Sequence, residues 1–222
     1  MPYILRSLLV LTALSGLALP AQALSPALAP NASVTVDRAG VFDYYVLSLS
    51  WSPTFCLTHA DNSQCSKGYG FVLHGLWPQY ARGGFPQDCY SPERLTPEAV
   101  RFGRTIFPAE NLIDHEWRKH GTCSGLSALA YFRAADRART QINVPAPLES
   151  PVTTHSDTAA AIARSFVTAN PGIPSGSVTI VCSGPQLSEV RLCLNTSLAP
   201  VACGKGVTHA CRGGPIRIPS VR

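Results

Sequence analysis

The sequence predicts a single domain of the α+β class. Segments rich in β-branched and aromatic residues, typical of strands, are mixed with segments of helical character, and the two kinds do not alternate regularly. About 200 residues follow an N-terminal leader, which is enough to enclose one sizeable core. Eight cysteines in that part indicate that disulfides stabilise the fold.

Residues 1–23 are predicted to be an export leader. Arg6 is their only charged residue, an apolar run follows over residues 8–14, and the segment ends at Ala21-Gln22-Ala23, a typical cleavage signal. A transmembrane anchor is the alternative, but the apolar run is short and closes on the cleavage signal. We therefore expect a secreted or periplasmic protein whose mature domain is residues 24–222.

Two strands are expected in the first half of that domain. Residues 43–51 (DYYVLSLSW) predict a buried strand, because β-branched and aromatic residues dominate them. Residues 69–76 (YGFVLHGL) predict a second strand, which we expect to end in a turn at Trp77-Pro78. A loop that contains two cysteines connects the two strands.

The middle of the chain predicts helices. Thr96 is a good N-cap, with Pro97 at the first helical position, and Asn170-Pro171 closes the last segment. Residues 143–153 predict a linker-like loop. The expected helices are residues 97–107, 112–120, 127–141 and 156–169.

Strands return near the C-terminus. Residues 177–182 and 189–194 predict a hairpin whose turn contains Gly184-Pro185, and a short strand is expected near Ile216.

The eight cysteines predict four disulfides, because an even number in an exported chain is typical of a disulfide framework. Zinc is the alternative, but the chain has no C-x-x-C pair and its cysteine spacings are wide. The count alone leaves the connectivity open. The cysteines are Cys56, Cys65, Cys89, Cys123, Cys182, Cys193, Cys203 and Cys211.

Two short segments carry the residues that suggest chemistry. HEWRKHGTC contains His115, Glu116, Lys119 and His120, which would lie within an arc of roughly 140° on one side of a helix. FVLHGLWPQ contains His74. Imidazoles beside a carboxylate and an ammonium can transfer protons and stabilise an anion near neutral pH.

Other chemistries fit these segments less well. A zincin has H-E-x-x-H, whereas His115 and His120 are five positions apart, and Lys119 would repel a dication. No G-x-S-x-G elbow is present for acyl transfer. Glu116 has no acidic partner nearby for glycoside hydrolysis. Histidines that serve only as core groups remain the structural alternative.

Cleavage of RNA fits best. When the 2′-hydroxyl attacks its own phosphorus, one histidine can accept its proton, another can protonate the leaving oxygen, and no metal is required. The net charge of +5 suits a polyanion. The aromatic residues Trp77, Tyr80 and Phe85 could stack on an unpaired base, although simple packing would also explain them.

The two segments resemble the active-site segments of the ribonuclease T2 family of secreted, transferase-type ribonucleases. The resemblance extends to YYVLSLSWSPTFC and to the cysteine placement, and it covers most of the mature chain. It implies that His120 is the general base, that His74 is the general acid and that His115 binds phosphate. Glu116 and Lys119 would stabilise the pentacoordinate transition state.

The resemblance also implies a base site and a fold. Trp77 and Phe85 match base-stacking positions, and Gln79 stands where many relatives carry Asp, so an amide that both donates and accepts would face the base. The implied fold is a central antiparallel sheet flanked by helices. The implied disulfides are Cys56–Cys65, Cys89–Cys123, Cys182–Cys211 and Cys193–Cys203.

These inferences predict an exported endoribonuclease that needs neither metal nor cofactor. It would cleave single-stranded RNA through a 2′,3′-cyclic phosphate with low base specificity, leave DNA intact and act as a monomer away from the membrane. A catalytically silent RNA-binding relative and a metal-dependent nuclease are the alternatives.

Overall fold

The computed structural model describes residues 37–222. Its central feature is a mostly antiparallel sheet. The predicted export leader, residues 1–23, lies outside the described residues. The strands are β1 (Tyr44–Trp51), β2 (Phe71–Gln79), β3 (His155–Asp157), β4 (Val178–Ser183), β5 (Gln186–Leu194) and β6 (Ile216–Ile218). The helices are α1 (Ser52–Phe55), α2 (Pro97–Ile106), α3 (Asn111–Lys119), α4 (Ala128–Thr140), α5 (Ala146–Glu149) and α6 (Ala159–Ala169).

The strand order confirms the predicted antiparallel sheet and α+β class. The order is β2-β1-β5-β6-β3, with β4 also paired to β5. β1 pairs antiparallel with both β2 and β5, and β4 and β5 form the expected hairpin. β5 and β6 meet in a parallel pairing at Gln186 and Arg217.

β1 is buried on both faces, which explains its almost continuous apolar sequence. Leu47, Leu49 and Trp51 belong to the main core, which also contains Phe132 of α4 and Phe166 of α6. Truncating a fully buried aromatic such as Trp51 to alanine typically costs about 3–5 kcal/mol. The other face of β1 joins a smaller cluster beside the site described below.

The expected turn at Trp77-Pro78 is wrong, because β2 continues through both residues to Gln79. Proline lacks the N–H that a central strand would donate, but β2 lies at the end of the strand order, where a donor can be missing without breaking a ladder. The strand is irregular instead at His74. Ser48 pairs with Gly75 and Leu49 pairs with Leu73, so His74 is the extra residue of a β-bulge.

Most other element bounds agree within one or two residues, with three larger differences. Residues 155–157, predicted largely as helix, pair with β6 as β3, and Thr158 caps α6 through Ala161 N–H. β5 begins at Gln186, three residues earlier than expected. The short helices α1 and α5 occupy segments predicted as loops. None of the helices in residues 37–222 is long and apolar enough to cross a membrane.

The four disulfides join the pairs that the family resemblance implied. Cys89–Cys123 matters most for the site, because it ties the loop after β2 to the turn after α3. Asp88 N–H donates to Lys119 O across the same junction at 3.0 Å. The loop that carries Phe85 is therefore held against the end of α3.

Candidate active site

One cavity brings together every residue that the family resemblance nominated for catalysis or base binding. This central cavity has a volume of about 270 Å³. Val46, Arg191 and Val207 complete its wall. The nominated residues are His74, Trp77, Gln79, Phe85, His115, Glu116, Lys119 and His120.

The end of α3 spreads its polar side chains around this cavity. The helix stops at Lys119, and His120 follows with φ −120° and ψ −45°, although its N–H still donates to Glu116 O at 3.1 Å. The His120 ring is buried, and its centroid lies 5.2 Å from that of the Trp77 ring. Its Nδ1 has no hydrogen-bond partner within residues 37–222.

The bulge in β2 positions His74. A strand normally alternates sides every residue, so His74 and Trp77, three apart, would face opposite ways. The extra residue restores a common face, and the two rings meet edge to face with centroids 5.1 Å apart. His74 Nδ1 lies 2.8 Å from Glu189 Oε1, and its Nε2 lies 3.9 Å from Glu116 Oε1.

Glu116 is fully buried behind these rings. Its Oε2 accepts a hydrogen bond of 2.8 Å from Trp77 Nε1, whereas Oε1 has no hydrogen-bond partner within the described residues. Gly75 permits this packing, since any Cβ there would overlap the Glu116 carboxylate and the Trp77 indole. Burial raises the pKa of Glu116 to about 7 against the opposing charge of His74.

The two buried histidines have opposite electrostatic surroundings. Burial lowers the pKa of His74, but the hydrogen bond and charge of Glu189 and the charge of Glu116 outweigh it, so the pKa is raised. For His120, burial and the neighbouring charge of Lys119 act together and lower the pKa to about 3. Burial and Lys119 also lower the pKa of His115. Environments that separate two pKa values in this way typically mark an acid and a base.

Aromatic side chains form the other wall of the cavity. Trp77 and Phe85 both lie near the His120 ring, and Phe85 is 44% exposed. The Gln79 side chain is buried, and its Nε2 donates to Pro78 O at 2.9 Å. Tyr80 does not line this cavity. Its hydroxyl donates to Asp37 Oδ1, and the guanidinium of Arg82 lies 5.6 Å from the centre of its ring. Packing within the protein therefore explains the presence of this aromatic residue.

Glu189 and Arg191 were not nominated from the sequence. Both lie on β5, far along the chain from the two motifs. The available signal was the pair of opposite charges in the otherwise strand-like run QLSEVRLCL, where a buried strand normally excludes charge.

No three His, Cys, Asp or Glu side chains within residues 37–222 are grouped so as to hold a metal ion. The central cavity instead combines imidazoles, one ammonium, one guanidinium and one carboxylate. This set can bind an anion and move protons on two sides of it.

Comparisons with known proteins identify related chains. Residues 42–203 match the model of the Ribonuclease T2 family. A ribonuclease of Aeromonas hydrophila is 48% identical over 112 residues, which cover 50% of this chain and 51% of that protein. Ribonuclease DdI of Dictyostelium discoideum is 27% identical over 201 residues, covering 83% of this chain and 87% of that protein.

The fold has counterparts among solved structures. The crystal structure of RNase NT in complex with 5′-AMP is 25% identical, with a TM-score of 0.67, covering 81% of this chain and 99% of that one. A point mutant of RNase MC1 in complex with 5′-UMP has a TM-score of 0.63 at 22% identity, covering 80% and 98% of the two chains. This chain spans about half the length of the Aeromonas protein and of a probable ribonuclease from Haemophilus influenzae, at 51% and 44%.

Proposed function

Because this chain belongs to the ribonuclease T2 family, we propose that it is an endoribonuclease that cleaves single-stranded RNA by proton transfer between two histidines, without a metal. One observation carries the proposal. His74 and His120 line one cavity, and their surroundings shift their pKa values in opposite directions. Internal transphosphorylation requires one group that accepts a proton and another that donates a proton.

In the first half of the reaction, His120 acts as the base. Its lowered pKa keeps the ring neutral, so a ring nitrogen accepts the proton of the ribose 2′-hydroxyl. The 2′-oxygen then attacks the adjacent phosphorus, and a bond forms to give a pentacoordinate phosphorane. No external nucleophile is consumed, which is why DNA, lacking the 2′-hydroxyl, should resist.

Three side chains of α3 bind or stabilise the phosphate in this mechanism. Lys119 places an ammonium in the central cavity, where charge develops on the non-bridging oxygens. His115 lies at the exposed edge and binds the phosphate. Glu116, with a pKa of about 7, can hold a proton near neutral pH and hydrogen-bond a phosphate oxygen through Oε1, the atom with no hydrogen-bond partner among the described residues.

His74 completes the cleavage as the acid. Its raised pKa favours the protonated ring, and it delivers a proton to the 5′-oxygen as the bond from that oxygen to phosphorus breaks. The products are a strand ending in a 2′,3′-cyclic phosphate and a strand with a free 5′-hydroxyl. In the cyclising step the enzyme consumes no water.

The substrate would extend across His74. Trp77 and Phe85 offer stacking surfaces for the base on the 5′ side of the scissile bond. His74 also lines an adjacent cavity of about 240 Å³, which suits the leaving nucleoside. There Phe55 and His59 are stacked with centroids 4.2 Å apart, and Asn62 offers an amide. Stacking tolerates all bases, which supports low base specificity.

Export is a further part of the proposal. Four disulfides with no free cysteine among residues 37–222 suit an oxidising compartment, and residues 1–23 carry a leader pattern. N-terminal sequencing of protein recovered outside the cytoplasm should begin at Leu24. Recovery of a chain that still begins at Met1 would contradict cleavage.

One gel tests the enzymatic proposal. The oxidised protein is incubated in chelator with a short RNA, and with a DNA oligomer of the same sequence that carries one internal ribonucleotide. We expect cleavage of the RNA, and cleavage of the chimera only on the 3′ side of its ribonucleotide, with a 2′,3′-cyclic phosphate end. Binding without cleavage would indicate a silent relative. Activity that returns only with a divalent metal would overturn the two-histidine mechanism.

A further inference from the structure

Glu189 is a buried charge that the two-histidine mechanism does not use. It is 8% exposed and lies in β5, where its Cα is paired with Ser50 of β1 and Val181 of β4. An ionised carboxylate buried in a sheet is unfavourable unless specific partners replace its lost water. Its partners therefore indicate why the charge is there.

Both carboxylate oxygens of Glu189 are engaged. Oε1 lies 2.8 Å from His74 Nδ1, and Oε2 accepts from Arg191 Nε at 2.8 Å and lies 2.7 Å from Arg191 Nη2. The Arg191 guanidinium in turn lies 5.1 Å from the centre of the Trp77 ring. These contacts form one continuous chain from Trp77 through Arg191 and Glu189 to His74. All of its members except Glu189 line the central cavity.

These contacts determine which nitrogen of His74 can react. An ionised carboxylate only accepts hydrogen bonds, so His74 Nδ1 must carry a proton and donate it to Glu189. The other nitrogen, Nε2, points towards Glu116 Oε1 at the central cavity. Nε2 is therefore the atom that exchanges a proton with substrate, whether the ring is charged or neutral.

We propose that Glu189, held by Arg191, is a positioning residue that orients the His74 ring and favours its protonated form for delivery of a proton to the leaving oxygen. This inference rests on the proposed ribonuclease function. In the step itself, the His74 Nε2–H bond breaks, the 5′-oxygen gains that proton, and the bond from phosphorus to the 5′-oxygen breaks. The hydrogen bond from Nδ1 to Glu189 persists throughout, so the ring keeps its orientation.

The other charges around His74 do not substitute for Glu189. Glu116 of α3 also favours the imidazolium, but it is 3.9 Å away and burial raises its own pKa to about 7, so it is only partly ionised near neutral pH. The Arg191 guanidinium repels the imidazolium, and so do His115 and His120 whenever their rings are charged. Glu189 is held ionised: burial raises its pKa, but the hydrogen bond to His74 and the charges of Arg191 and His74 outweigh burial and lower the pKa to about 2.

The competing explanation is that Glu189 and Arg191 form an ion pair with a purely structural role. Substrates whose leaving groups differ in their need for a proton distinguish the two explanations. Glu189→Gln keeps the shape of the side chain and removes its charge. We would compare a dinucleotide, whose 5′-oxygen leaves only if protonated, with a nucleoside 3′-(4-nitrophenyl phosphate), whose phenolate leaves unprotonated. His74→Ala on both substrates defines the result for loss of the acid.

The expected result is a selective loss. Glu189→Gln should lower kcat on the dinucleotide by about 10- to 100-fold, part of the roughly 10²–10⁴-fold typical of a general acid, with KM within about threefold. On the aryl substrate its kcat should stay within about twofold of wild type. Glu93→Gln, at an exposed loop carboxylate, is the matched control and should leave both substrates unchanged. Equal losses on both substrates, or no loss on either, would overturn the inference.

The pH profile supplies a second readout. Activity falls as pH rises through the pKa of the acid, so removing the Glu189 charge should move the alkaline limb of kcat/KM to lower pH by about one unit or more. If Glu189→Gln fails to fold, Glu189→Asp keeps the charge but shortens the reach to His74, and it should show the same selective loss. Wild-type protein inactive on both substrates would refute the proposed function, whereas active wild type with an insensitive Glu189 variant would refute this inference alone.

Discussion

His74 and His120 share one cavity, yet they reach it in different ways and acquire opposite character. His74 lies at a bulge on an edge strand, and two carboxylates from distant elements, Glu116 and Glu189, face it. His120 lies just past the end of a helix, buried against Trp77, with the Lys119 ammonium as its nearest charged neighbour in sequence. Burial penalises the charged form of both rings, so the neighbouring charges decide the difference.

The two regions also differ in how their neighbours are encoded. The charged groups around His120 lie mostly within HEWRKH, where a local helix brings them together. The partner of His74, by contrast, is 115 residues away along the chain. A local motif therefore accounts for the lowered pKa of His120, whereas the raised pKa of His74 depends on the register of two strand pairs. The following predictions test this contrast.

Removing either ring should have the largest effect. His74→Ala and His120→Ala should each lower kcat on RNA by about 10²–10⁴-fold, because general acid and base catalysis each contribute that much. Steady-state cleavage of a dinucleotide measures the loss, and His155→Ala, outside both cavities, is the control. Near-normal turnover in either variant would remove that histidine from its assigned role.

Lys119→Ala should follow, with a loss of about 10²–10³-fold in kcat and a smaller change in KM. In the proposed mechanism the ammonium faces charge that grows as the phosphorane forms, so it would stabilise the transition state more than the bound substrate. Arg118→Ala, which removes the neighbouring exposed cation of the Arg118–Asp114 pair, is the control. An unchanged kcat with a raised KM would assign Lys119 to binding only.

The pH profile should be bell-shaped and broad. The base works when neutral, so kcat/KM rises with pH through the lowered pKa of His120, about 3. The acid works when protonated, so kcat/KM falls through the raised pKa of His74, above its ordinary 6.5. Each limb should change activity about tenfold per pH unit. Rates measured in buffers of constant ionic strength test this, and a flat profile would contradict the acid–base pair.

The smallest expected effect is a shift of the pH profile, and its direction is what tests the role of the charges around His74. Arg191 repels the His74 imidazolium, so Arg191→Met should raise the pKa of His74 and move the alkaline limb to higher pH by a fraction of a unit, opposite to Glu189→Gln. The methionine keeps apolar contact with Trp77. A shift in the same direction as Glu189→Gln would mean that Arg191 acts mainly by holding Glu189 in place.

Local signals predicted much of the fold. β1 is apolar almost throughout because both of its faces are buried, and α2 begins directly after its capping threonine, Thr96, as expected. The error at Trp77-Pro78 arose because proline signals a strand end only where its missing N–H is needed. Whether β2 is an edge strand depends on the sheet, which no local pattern contains.

By itself the sequence determined the parts of the site: two motif segments, three histidines and the aromatic residues beside them, because each motif fits within or next to one helix or one strand. Tertiary structure decided which parts meet. The β1–β2 bulge turns His74 towards Trp77, the β1–β5 pairing brings Glu189 to His74, and Gly75 admits the Glu116 carboxylate. These contacts depend on strand register, and a shift of one residue would reverse the face of every side chain, so no spacing within a single segment encodes them.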